Sequence, residues 1–150
     1  MKSRYSTLAV ALLLMFPTVC AAQARPATCE VRPLWVGRVR SANLGNIGRF
    51  RTDGKEGKTI RSFKHQTTGF VVTAGIDYVF DYSSTPQKPS EIRLAIAVSD
   101  KETEDIFESV NSAEASTHYR KKWNLSVTRS VDFENVVYMF TLRCWDAPAK

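Results

Sequence analysis

The residues of this chain whose types could do chemistry are few. Two histidines, His65 and His118, lie far apart, and neither sits in an H-E-x-x-H or C-x-x-C spacing that would gather ligands around one metal. A lone histidine in a polar strand or loop is most simply a surface residue. Neither G-x-S-x-G nor S-x-x-K occurs after the N-terminal leader region, so no serine nucleophile announces itself. Asp77 and Asp81 share one phase of a strand pattern. At ~3.3 Å per residue they would stand about 13 Å apart, too far for a close acid/base pair. They read as a solvated strand face. Asn124-Leu125-Ser126 matches a glycosylation sequon, which matters only in a host with that machinery. No catalytic residue, metal site or cofactor is therefore expected.

The cysteines say more. A leader is expected over residues 1–24: Lys2 and Arg4 precede an apolar run from Leu8 to Phe16, and small residues follow at Ala21, Ala22 and Ala24. Ala22-Gln23-Ala24 offers a cut after Ala24, with a cut after Ala22 as the alternative; either discards Cys20. Lipidation of Cys20 would call for Leu and a small residue where Pro17 and Val19 stand. The apolar run is too short for a bilayer span of about 20 residues, and no later segment is apolar enough. The processed protein is expected to be extracytoplasmic, periplasmic or secreted, and not transmembrane. In such a compartment Cys29 and Cys144 can oxidise to one disulfide closing a loop of 115 residues. No C-x-x-C suggests a redox role.

Charge is the other chemical signal. The formal net charge is +6 and falls to +4 without Lys2 and Arg4. Between Arg38 and Lys64 lie Arg38, Arg40, Arg49, Arg51, Lys55, Lys58, Arg61 and Lys64 against only Asp53 and Glu56. The glycine-rich Asp53 to Lys58 stretch reads as an exposed loop within this group. A second group, Arg120-Lys121-Lys122, is flanked by Tyr119 and Trp123. Arg49, Arg51, Lys55, Lys58, Arg61, Lys64, Arg120, Lys121 and Lys122 are thus candidate binding residues for an anionic partner. The bland alternative is solvated strand faces and a solubilising loop. Nucleic acid is not expected, given export and the modest net charge.

The elements that must position these residues follow from period-two alternation. Val136, Tyr138, Phe140, Leu142 and Cys144 share one face of a strand; Ile92, Leu94, Ile96 and Val98 mark another, and Ile76, Tyr78, Phe80 and Tyr82 a third. The last two are separated by Ser83 to Ser90, whose two prolines favour a loop, giving a long hairpin or a crossover between sheets. Phe70 to Thr73 suits a short strand that Ile60 to His65 can pair with, and Gly75 suggests a bend or bulge. Trp123, Leu125 and Val127 define a further strand, with Ser130 to Asn135 turning it into the last. Near the N-terminus Cys29, Val31, Pro33, Trp35 and Val39 keep one phase. Both cysteines are therefore in step with buried faces.

One short helix is expected at about residues 100–112: Ser99 or Asp100 can cap it, Glu102, Glu104 and Asp105 suit its first turns, and Ile106, Phe107 and Val110 supply a stripe. The fold class is mainly β, a sandwich or strongly curved antiparallel sheet of about six to eight strands, formed by about 126 processed residues as one domain. The immunoglobulin pattern is not met, because the cysteines are too terminal and Trp35 follows Cys29 too closely.

These features point to a small exported binding protein, for example an inhibitor or immunity-type partner of another exported protein. The alternative is electrostatic attachment to anionic envelope glycans or lipid headgroups through a basic face. A third reading is a small hydrolase with a dispersed active site, which leaves no local signature.

Overall fold

The computed structural model describes residues 23–36, 41–43, 45–55 and 57–147. Leader residues 1–22, with Cys20, and also Arg38, Val39, Arg40 and Glu56 lie outside the described residues. Nine strands are described: β1 (Ala27–Val36), β2 (Ser41–Asn43), β3 (Gly48–Thr52), β4 (Lys58–Lys64), β5 (Val71–Asp81), β6 (Lys88–Ser99), β7 (Ala113–His118), β8 (Asn124–Phe133) and β9 (Val136–Asp146). Every pairing is antiparallel. The first sheet runs β2-β1-β9-β8, with β3 pairing β1 as well; the second runs β4-β5-β6-β7. The two sheets face one another as a β sandwich, and no helix occurs among the described residues.

Alternation sets what each face contributes. Val31, Phe140 and Leu142 of the first sheet meet Val72, Ile76, Ile92, Leu94 and Ile96 of the second, all fully buried. Each such side chain stabilises the fold by roughly 1.5–3 kcal/mol through the apolar area it removes from water. The Ile76 and Leu94 strands are direct partners, so the segments flanking residues 83–87 form a hairpin rather than a crossover. Asp81 organises its tip: one carboxylate oxygen accepts the Ser83 backbone N–H at 2.9 Å and its hydroxyl at 2.6 Å. Those two bonds hold the Asp81 carboxyl below the usual carboxylate range.

Two connections differ from expectation. Strands β8 and β9 run through most of Ser130 to Asn135, leaving only Glu134 and Asn135 as the turn, at φ 50° and 64°. Two left-handed residues give the hairpin geometry whose twist matches antiparallel strands. The short helix expected at about 100–112 is not formed; the segment is a series of turns, with Asp105 at φ 47°. A helix there would have to bury Val110 with Ile106 and Phe107, yet Val110 is 96% exposed. The adjacent pair Ile106 and Phe107 instead caps the outer face of the second sheet, packing on Ala95, Ala97 and Ile60. A Cβ at Gly75 would lie 2.9 Å from the Phe107 ring, so the bend expected at Gly75 is instead a place where a ring presses on bare backbone. The loop is fastened by Thr103 N–H to Thr73 Oγ1 at 3.1 Å, and by the Ser62 hydroxyl donating to Glu102 Oε1 at 2.8 Å. A helix this short is marginal in water, and Ser109, Asn111 and Ser112 favour turns, so packing outweighs the capping signals.

Cys29 and Cys144 are directly opposed on β1 and β9 and joined by a disulfide, with Cα atoms 4.1 Å apart. Both are fully buried, as their strand phase requires. No helix among the described residues is long and apolar enough to cross a membrane.

Candidate functional site

The outer face of the second sheet carries a charged row where a two-sided core would have apolar residues. Lys58, Asp77 and Arg93 lie side by side in register on β4, β5 and β6. Asp77 is only 7% exposed. Arg93 reaches Asp77 Oδ2 at 3.9 Å and Glu114 Oε2 on β7 at 3.2 Å. Burial pushes the Asp77 carboxyl up, Lys58 and Arg93 pull it back, and Glu91 adds to the rise. The Phe107 ring sits beside this row, 5.8 Å from Lys58 Nζ and 5.6 Å from the Arg93 guanidinium carbon, so its face stabilises both cations.

A cleft of about 880 Å³ opens from this row toward the β5–β6 hairpin tip. Lys55, Lys58, Asp77 and Arg93 line its charged side; Tyr82 and Pro86 line the other. The Lys55 ammonium comes from the β3–β4 turn, where Lys55 N–H donates to Asp53 Oδ1 at 2.9 Å. That turn is tied to the body, because Gly57 C=O accepts Tyr78 N–H at 2.8 Å and Gly54 C=O accepts Ala24 N–H at 3.1 Å. The loop expected at Asp53 to Lys58 is therefore anchored at both ends. Tyr82, 76% exposed, offers a large apolar ring with a polar tip at the mouth. The charged groups lining the cleft are Lys55, Lys58, Asp77 and Arg93.

The other candidate residues are dispersed. Arg49 sits on the outer face of the first sheet, committed to the buried carboxylate of Glu30 at 3.1 Å, with Arg32 on its other oxygen at 2.9 Å. Arg51 and Arg61 are brought together with Asp53 around a shallow depression of about 240 Å³ at the β3–β4 edge of the sandwich. Lys64 is exposed at the far end of β4. Arg120, Lys121 and Lys122 are exposed between β7 and β8, where Lys121 C=O accepts the Arg25 guanidinium at 3.0 Å. Only Lys55 and Lys58 reach the cleft. Arg93 and Tyr82 are its missed members, and Asp77, expected on a solvated strand face, is instead buried on a central strand at its wall. The one usable signal was a charge at the same register on two apolar central strands, Asp77 opposite Arg93, and the pairing of those strands is needed to see it.

The histidines separate in character. His118 is exposed at the end of β7. His65 is 4% exposed, in the β4–β5 turn, its Nδ1 2.9 Å from the Thr68 hydroxyl and its ring edge-on to Phe140 at 5.1 Å and Tyr138 at 5.6 Å. Burial lowers its pKa from 6.5, so the folded protein holds it neutral. The unfolded chain takes up the proton first, near pH 6.5. Stability is full above that pH and declines as pH falls from about 6.5 through the lower folded-state value. Urea melts at pH 7.5 and 5.5 are expected to show this decline, and His65→Gln to show a smaller one.

Among the described residues no three His, Cys, Asp or Glu side chains come together as a metal site. No protein-family model, curated protein or solved structure matches this chain, so its sandwich and its cleft are characterised by their own geometry alone.

Proposed function

We propose that the chain is a small exported binding protein that receives an acidic segment of another exported protein in the cleft of the second sheet. The observation that carries this reading is the pair Lys55 and Lys58: both line the cleft, and neither has an ion-pair partner among the described residues. Asp77, the carboxylate nearest in register, is already shared with Arg93. Carboxylates of a partner complete the charge balance, and Tyr82 and Pro86 supply apolar contact beside them. The leader-like N-terminus and the buried disulfide support placement where thiols oxidise.

The test is co-isolation from the native extracytoplasmic fraction. The protein is expected to retain one partner stoichiometrically, and Lys55→Glu with Lys58→Glu to weaken that complex by about 10- to 100-fold, at ~1.4 kcal/mol per tenfold. The circular dichroism of the variant should match the parent. Undiminished capture by the folded variant counts against the cleft.

Arg51 and Arg61 at the sandwich edge, with the exposed Arg120-Lys121-Lys122 loop, favour a second reading, attachment to anionic glycans or headgroups. That reading expects retention on anionic vesicles that falls steeply with salt and survives the Lys55 and Lys58 reversals.

A further inference from the structure

The sequence offers two cuts that would remove a leader, after Ala24 or after Ala22. We propose that the cut falls between Ala22 and Gln23, so that Gln23, Ala24 and Arg25 belong to the working fold. The inference rests on the export reading above and adds to it the site of processing.

Ala24 is 2% exposed and belongs to the main core. Its N–H donates to Gly54 C=O at 3.1 Å. The β3–β4 turn is shaped to receive it: Gly54 has φ +76°, and a Cβ there would lie 2.2 Å from the Ala24 carbonyl oxygen. Arg25 is held from both sides, its N–H donating to the Tyr119 hydroxyl at 2.8 Å and its C=O accepting the Tyr78 hydroxyl at 3.0 Å. One residue further, Pro26 C=O accepts Ala147 N–H at 2.8 Å. Gln23 is exposed.

A cut after Ala24 would remove a core side chain, leave Gly54 C=O without its donor, and turn the Arg25 amide that donates to the Tyr119 hydroxyl into a charged ammonium. A buried polar group without a partner costs about 1–3 kcal/mol. A cut after Ala22 does none of this. Water adds across the Ala22–Gln23 bond under a leader peptidase, Ala22 leaves with the new carboxylate, and the new α-ammonium forms on solvent-exposed Gln23. Small residues still occupy the two positions that matter, Ala22 before the cut and Cys20 two residues earlier.

N-terminal sequencing and intact mass of the protein recovered from the extracytoplasmic fraction of a secreting host test the site. A chain starting at Gln23 is expected. A chain starting at Arg25 overturns the proposal and leaves export standing, whereas an uncut chain overturns export as well. Cys20→Lys separates the two cuts a second way, because it changes a recognition position of the Ala22–Gln23 cut only. Precursor is expected to accumulate, and undiminished processing of that variant would refute the site.

Discussion

Replacing both Cys29 and Cys144 with alanine is expected to lower the unfolding free energy by about 2–5 kcal/mol, measured by urea denaturation. The two residues belong to the first and last strands of the first sheet and are separated by 115 residues. Much of the effect lies in the unfolded chain, which the bond forbids from separating its ends. Because β1 and β9 pair along their whole length, the native sheet is expected to persist in the variant, with a lower urea midpoint. The reduced wild-type protein should behave alike. An unchanged midpoint would show that pairing of the strands already supplies what the bond supplies.

Phe140→Ala is expected to cost about 3–5 kcal/mol, because a fully buried ring is lost and the two sheets cannot collapse into the space. The variant carries an internal check. Phe140 is one of the two rings packed edge-on to His65, whose pKa is lowered by burial. Space beside the imidazole admits water and lets its pKa return toward 6.5. An NMR titration of His65 in Phe140→Ala should therefore move upward relative to the parent, and the decline of stability below pH 6.5 should flatten. A His65 titration unaltered by the substitution would mean that another contact sets its environment.

Much of this architecture could be read from alternation, because the residues that face the core report their phase directly. Val136 to Cys144 and Ile92 to Val98 are strands for the reason their pattern suggested, and the matching phases of Cys29 and Cys144 end in a bond. What failed was read from local signals where packing decides. Glu102, Glu104 and Asp105 looked like a helix start, but Glu102 answers Ser62 across a loop, and Ile106 with Phe107 fill the hollow left by Gly75, Ala95 and Ala97. The candidate site was legible only in part. A run of basic residues in sequence is not a face, since alternation and the turns between strands send Arg49 to one sheet and Lys58 to the other. The cleft depends on Lys58, Asp77 and Arg93 standing in one row, a relation among three strands that no single stretch contains.

The central place of β1, flanked by β9 on one side and by β2 and β3 on the other, bears on how the chain comes to be folded at all. Vectorial synthesis delivers β1 early and β9 last, so the first sheet cannot close until nearly every residue has emerged. Until then the β5–β6 hairpin can pair locally, but the nascent polypeptide lacks the ladder that ties its opening strand to its closing one.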